Sequence, residues 1–548
     1  MSQFSSVASV KPRRSVFNLS NVRKMTCDMG KLYPFFFREL IPGDKFQIKN
    51  RVVVRANPLV APVYASITAR TEYFFVPTRL LWKDWETFFT KGVDGDQTLL
   101  PPRWIPCYTD SSDEVKKATI GEGSLWDYFG FPTMHVGMDS SAPGYIQWQG
   151  WDSRNKPSTP FASLAGLPLD FPRRAYNLVW ADYYADETID ASSIEAMKSD
   201  AQYNPDFTPL QQYLVNRTWK KDRFTSALPW QQRGTPVAIP ISGVLPVMIS
   251  NVPRFTKAGQ LSVDRSHFER SFNVASHFVT MAEPYDSSDV YPATVTLDDA
   301  LTFTPADLRL AFQIQLWQEQ NARGGIRYTE FLRSHWSVAP RDDRLQRPEF
   351  IGSTRQPVVI SEVLQTSSTD GTSPQGNLAG HGISAEAGYV GSYYAQEPGY
   401  ILGLFSLTTP GEYQQGVSRE MLRQTPFDYA FPEFVHLSEQ EVFQSELYLT
   451  GDSKENKKIF GFQGRLDEYR TALNEVCGDF RTKLSYWHLG RQFDSAPGLN
   501  PNFIRMNPSK RIFAVPSEPG FLVQIANDIR AVRPIPYSSL PGLIDHRS

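Results

Sequence analysis

Hydrophobic and polar side chains alternate with period two along residues 63–75. Val63, Ala65, Ile67, Ala69, Thr71, Tyr73 and Phe75 share one face, and Ser66, Thr68, Arg70 and Glu72 lie on the other. The pattern predicts a half-buried strand. At about 3.3 Å per residue it would run roughly 40 Å, a length that suits a large sandwich. Near the far end of the chain, Phe521, Val523, Ile525, Ile529 and Ala531 alternate against Gln524, Asp528 and Arg530. Between these two segments, GYILGLFSLTT at 399–409 is a continuous apolar run. It predicts a strand buried on both faces.

Helical spacing is scarce. Thr78 is positioned to cap a helix carrying Leu81, Trp85, Phe88 and Phe89 on one face, stopped at Gly92. Pro172 suits a first helical position, and Tyr176, Val179, Trp180 and Tyr183 then share a face. Thr304-Pro305 opens the clearest helix, with Leu310, Ile314 and Trp317 in register to about Arg323. Strands therefore dominate both ends and helices fall in long connections. The absence of strand–helix alternation argues against a doubly wound sheet. No internal repeat is visible. Residues 366–382, TSSTDGTSPQGNLAGHG, read as a long polar loop.

The chain has 548 residues, 41% hydrophobic and 13% aromatic, enough for a sizeable core. That length allows about three average domains or one large β domain with long insertions. Proline is abundant at 41 residues, which favours loops over long helices. Net charge is −2, so a nucleic-acid role has to come from a local basic segment. One exists: Lys11, Arg13, Arg14, Arg23 and Lys24 all precede Asp28, the first acid, and residues 1 to about 30 read as an arm. Two readings of the arm stay open. Its cations neutralise phosphates, with Phe4, Phe17 and Phe37 available to stack on bases, or it is a solvated terminus. Cys27, Cys107 and Cys477 form no CxxC pair and suit free thiols in a reducing cytoplasm. The N-terminus lacks the apolar region of a secretory leader. The uncharged stretch 234–253 is broken by Pro236, Pro240, Pro246 and Pro253, which excludes a spanning helix.

Catalytic signatures are missing. No phosphate loop, HExxH motif or GxSxG elbow occurs. Asp94 and Asp96 resemble a fragment of a calcium loop without its closing Glu, and read as a plain turn. The eight histidines lack metal-ligand spacing. The adjacent acids Asp298-Asp299 and Asp342-Asp343 read as solvated loop carboxylates. NARGGIRY at 321–328 could hold an anion, but a helix C-cap whose arginines bond carbonyls or acids is the simpler reading. No cofactor, metal or catalytic residue is expected. A jelly-roll carbohydrate-active enzyme would need two carboxylates facing one cleft, and no such pair stands out. A sugar-binding module is the other alternative.

Several longer strings occur together. They include RTEYFFVPTRLLWKDWETFFTKG (70–92), FPRRAYNLVWADYY (171–184), DRFTSALPWQQRGTPVAIPI (222–241) and LRLAFQIQLWQEQNARGGIRYTEFLRSHW (308–336). DDRLQRPEFIG (342–352), TSPQGNLAGHG, EYQQG (412–416), FGFQGRLDEYR (460–470), WHLGRQFDS (487–495) and LPGLIDH (540–546) complete the set. In this order they resemble the major capsid proteins of the Microviridae, the gokushovirus-type group. Gln396, Glu397 and Pro398 stand where an acid-His-Gly sequence is expected, and the chain ends Arg547-Ser548, which suits a divergent branch. The resemblance implies an eight-stranded antiparallel jelly roll with long loop insertions. It also implies self-assembly into a T=1-type icosahedral shell around circular single-stranded DNA, in the host cytoplasm. The implied partners are a small basic DNA-packaging protein and a bacterial surface receptor. On this reading residues 31–241 and 297–548 form the jelly roll. Residues 242–296 match no recognised block and are expected to form a surface protrusion. Val247, Met248, Phe268 and Phe272 are its candidate host-recognition residues.

Overall fold

The structure is a computed structural model. It describes residues 13–90, 99–104, 118–133, 168–202, 212–234, 305–324, 328–337, 341–343, 345–364, 378–435 and 439–537. It also describes the strand backbones at 244–249, 255–256, 280–281 and 291–296. The chain divides into two compact units, Met1–Gln231 with Asn321–Ser548, and Gln232–Gln320.

Nine strands of the first unit pair into one antiparallel system. They are β1 (Ser15–Asn18), β2 (Asn21–Cys27), β3 (Tyr33–Leu40), β4 (Lys45–Ala56), β5 (Ile67–Pro77), β6 (Glu349–Leu364), β7 (Leu378–Tyr394), β8 (Gly399–Thr408) and β9 (Phe521–Arg533). β1 and β2 lie end to end along β9 and act as one interrupted strand, which leaves eight. One array runs β1/β2–β9–β4–β7 and the other β6–β5–β8–β3. A long hairpin joins them. Its outer half pairs β6 with β7, from Val359–Ile383 to Leu364–Leu378. Its inner halves part, β6 onto β5 and β7 onto β4. This is the expected jelly roll.

Alternation explains the packing. In β4, Phe46, Ile48, Val52 and Val54 are buried while Lys45, Lys49, Arg51 and Arg55 are exposed. In β9, Phe521, Val523, Ile525, Ile529 and Ala531 point inward, as the sequence predicts. These side chains meet Tyr73, Phe75, Ile401 and Phe405 of the other array in one core. Each such burial contributes about 1.5–3 kcal/mol. Gly30, at the corner between β2 and β3, has φ +85° and would place a Cβ 2.2 Å from the Met506 carbonyl oxygen. Only glycine fits there.

The second array is covered on its outer face too. Phe74 and Val76 of β5 and Leu402 and Leu404 of β8 pack in a second core with the helical connections. That explains the apolar run of β8, buried on both faces. The covering helices are α1 (Thr78–Leu81), α2 (Trp85–Thr90), α3 (Leu125–Tyr128), α4 (Phe171–Tyr183) and α5 (Ala191–Gln202). α4 anchors the layer. Its Tyr176 hydroxyl donates to the Leu32 carbonyl at 2.8 Å, and Trp180 Nε1 donates to the Asn216 carbonyl at 3.0 Å. The single helix expected after Thr78 is in fact α1 and α2. Thr78 is not the cap: its hydroxyl donates to the Pro398 carbonyl, and Pro77 holds the cap position. Gly92 lies outside the described residues.

α6 (Pro305–Gly324) and α7 (Tyr328–Trp336) follow. In the last turn of α6, Arg323 pairs with buried Glu439, in line with the C-cap reading of NARGGIRY. The expected loop 366–382 is shorter than the sequence suggests, because residues 378–382 already belong to β7. A third apolar cluster, with Phe224, Tyr413, Val442, Phe460 and Phe503, organises the long connection between β8 and β9.

Candidate functional site

Among the described residues, the outer face of the first array is exposed and basic. On β1, β2, β4 and β9 the outward positions alternate with core residues. Their ionisable side chains are six cations, Lys24, Lys45, Lys49, Arg51, Arg55 and Arg530, and one carboxylate, Asp528. Cross-strand register places Asp528 beside Lys49 and Lys24 beside Gln524. Along β4 successive outward positions are about 6.8 Å apart and neighbouring strands about 4.8 Å apart, so the cations form a grid. On the flanking β7, Tyr389 and Tyr394 are exposed and lie opposite Lys49 and Lys45. The Arg14 guanidinium sits 6.0 Å from the Tyr394 ring centroid, which brings it to the edge of the same face. Cations with exposed rings between them match what a single strand of nucleic acid needs: charge for phosphates and flat surfaces for bases.

Not every nearby cation belongs to this face. Arg533 is committed to buried Asp44, at 2.8 Å, and to the Glu39 carbonyl. Arg23 points inward from β2 and donates to the Tyr128 carbonyl. Burial lowers its pKa, against the pull of Asp127.

The five arm candidates therefore separate. Lys11 lies outside the described residues. Arg13 and Arg14 are exposed ahead of β1, Lys24 is exposed on β2, and Arg23 is a packing residue. The segment expected to be an arm up to about residue 30 is strand from Ser15 to Cys27, apart from Leu19 and Ser20. The alternation of Phe17, Leu19, Met25 and Cys27 against Val16, Lys24 and Thr26 binds it to the edge of β9. Sequence reasoning misses Lys45, Lys49, Arg51, Arg55 and Arg530. For the first four the signal lies in KFQIKNRVVVRA, an alternating strand whose charged positions are all basic, and Arg530 follows the same alternation in β9.

The other sequence candidates are placed as follows. Val247 and Met248 lie in the strand Val244–Ile249, opposite Ala293 and Pro292 of Tyr291–Thr296. Phe268, Phe272, Asp94, Asp96 and Asp298-Asp299 lie outside the described residues. Asp342 accepts from Arg347 Nε at 2.7 Å and is a structural carboxylate. Among the described residues no group of three or more His, Cys, Asp or Glu side chains could hold a metal ion. No helix among them is long and apolar enough to cross a membrane.

A family model described as "Capsid protein (F protein)" matches residues 5–150 and 161–543. The chain is 32% identical to a protein named "Capsid protein VP1" from Chlamydia phage 1, over 99% of this chain and 97% of the relative. It is 30% identical to the VP1 capsid protein of Bdellovibrio phage phiMH2K, over 98% and 97% of the two chains. For the VP1 capsid protein of Spiroplasma virus 4 the identity is 28%, over 97% and 95%. A match of this extent, on a jelly roll of this topology, makes the chain a member of the phage capsid protein (F protein) family of the Microviridae, a structural component of the virion and not an enzyme.

Proposed function

We propose that the protein forms a T=1-type icosahedral shell around circular single-stranded DNA, and that the exposed basic face of the first array lies against that genome. The observation that carries this is the charge on that face, six cations against one carboxylate on β1, β2, β4 and β9, on the side of the sandwich that no helix among the described residues covers. Arg13 and Arg14 extend the same positive surface, and Lys11 precedes them in the sequence. The modest net charge of −2 leaves room for a small basic packaging protein that neutralises the rest of the genome. The insertion 242–296 is the host-facing element, with Val247, Met248, Phe268 and Phe272 as its contact candidates for a bacterial surface receptor. The second compact unit, Gln232–Gln320, contains it.

Salt dependence of oligonucleotide binding tests the DNA-facing surface. Changing Lys45, Lys49, Arg51 and Arg55 together to Gln should reduce the slope of log K against log salt by about 2.8, at roughly 0.7 per lost phosphate contact. An unchanged slope would move the genome contact elsewhere.

A further inference from the structure

α6 has the spacing of a core helix and yet shows its apolar residues to solvent. Leu310, Phe312, Ile314, Leu316 and Trp317 are between 39% and 61% exposed. At about 100° per residue they occupy an arc of roughly 200°, running from Phe312 through Leu316, Gln313, Trp317 and Leu310 to Ile314. Ala311, Gln315 and Gln318 on the opposite side are half-buried, and Glu319 lies half-buried at the rim of the arc, beside Phe312. Counting roughly 150–250 Å² for a large side chain, the five offer about 500 Å² on one copy. That is the size of the largest apolar patch on a typical monomer, which is often functional, and is a large part of the ~800 Å² per partner of a standard interface.

The order of these residues is close to a palindrome. Ile314 lies near the centre, Phe312 and Leu316 flank it, and Leu310 and Trp317 stand outside them. The charges follow the same symmetry, with Arg309 before the centre and Glu319 after it at equal distance. An isologous contact has this property: position i meets j and j meets i.

We infer that α6 is a self-complementary docking surface whose partner is α6 of a second copy of this chain, packed antiparallel across a twofold axis near Gln313 and Ile314. In that arrangement Leu310 meets Trp317 of the other copy and Phe312 meets Leu316. Arg309 meets Glu319, which within its own helix accepts from Gln315 Nε2 at 2.9 Å. Antiparallel packing also sets the two helix macrodipoles favourably. A closed shell of identical subunits supplies such twofold contacts, so the pairing rests on the shell-forming reading.

Two experiments on assembled particles test it. Gln313 lies at the middle of the exposed arc, so Gln313→Cys should join to itself on mild oxidation. The parent for this test carries Cys477→Ser, because Cys477 is exposed, and serves as the blank. The expected result is a covalent dimer on a non-reducing gel that the blank lacks. Separately, Arg309→Glu and Glu319→Arg should each lower particle yield about tenfold, and the double reversal should restore it. Particles that form normally but give no dimer above the blank, or single reversals without effect, would overturn the helix pairing and leave the shell reading intact. If the unaltered chain forms no particles with packaging protein and DNA supplied, the shell reading fails and the pairing fails with it.

Discussion

The Tyr73 hydroxyl donates a 2.8 Å hydrogen bond to Asn527 Oδ1, tying β5 of one array to β9 of the other through the middle of the core. Asn527 passes the connection on, its Nδ2 donating to Asn21 Oδ1 at 2.9 Å. Beside it, Asn50 Nδ2 donates to Thr71 Oγ1 at 2.7 Å, and Thr71 shares a hydroxyl hydrogen bond with Thr354. An otherwise apolar sandwich thus contains a polar thread that reaches five strands. A one-residue slip of any of them would turn its polar group away and leave the partners buried without hydrogen bonds, so the thread specifies register as well as stability.

Tyr73→Phe should therefore destabilise the subunit by about 1–3 kcal/mol, the cost of leaving a buried acceptor without its donor. Asn527 is 2% exposed, so bulk water cannot replace the hydroxyl. Urea unfolding of the unassembled subunit measures the change. A loss below about 0.5 kcal/mol would mean that the neighbouring amides rearrange to satisfy Asn527.

Two neighbours in sequence should respond in opposite ways. Lys24→Gln should lower the salt slope of single-stranded DNA binding by about 0.7 and leave stability unchanged. Arg23→Gln should leave the slope unchanged and cost about 1–2 kcal/mol, because its hydrogen bond to the Tyr128 carbonyl is lost. Equal effects of both on binding would show that the segment leaves the edge of β9 when it meets DNA.

The subunit should weaken in mild acid through His488. This imidazole is buried, its Nε2 donating to the Phe480 carbonyl at 2.8 Å and its Nδ1 accepting from the Gly490 amide at 2.9 Å. Burial lowers its pKa below the ordinary 6.5, Arg511 adds to the effect, and the Phe480 carbonyl opposes it. The folded state thus binds the proton less readily than the unfolded chain. The stabilisation is complete above about pH 6.5 and is lost as pH falls below it. Melting temperature should drop between pH 7 and pH 5, and the drop should be smaller in His488→Gln. An identical drop in both would assign the acid sensitivity to the carboxylates.

Period-two patterning makes β5 and β9 legible in the sequence alone, because each is long and its inner face meets one continuous core, and the unbroken apolar run of β8 marks a strand covered on both faces. The basic face is equally written in β4 but is invisible to a count of charges, since Lys45, Lys49, Arg51 and Arg55 are diluted by acids elsewhere. The N-terminal segment misleads for a related reason. Its cations stand out by number, while the alternation that makes Ser15–Cys27 an edge strand depends on small steps such as Phe17, Leu19 and Met25. For α6, periodicity identifies the helix and its apolar face. What that face meets depends on other copies of the chain, which a single sequence does not describe.

Removing the insertion should separate assembly from attachment. Val244 and Thr296 are register partners at the base of the antiparallel pair Val244–Ile249 and Tyr291–Thr296. Partners in such a ladder have Cα atoms about 4.5–5.5 Å apart, so the chain enters and leaves the segment at nearly the same point. Replacing residues 242–296 with a short Gly-Ser linker can therefore close the gap without pulling on what lies either side, and α6, which begins at Pro305, stays in the chain. The segment mixes apolar Val244, Leu245, Val247, Met248 and Ile249 with Phe268, Phe272 and Phe278, and a lone loop of this kind struggles to bury such groups by itself. Exposed at the particle surface, they would form a natural binding patch. The expected outcome is particles of normal yield that no longer adsorb to host cells, measured by depletion of particles from a cell suspension. Loss of assembly would instead make the insertion a brace between subunits, and undiminished adsorption would place the receptor contact outside it.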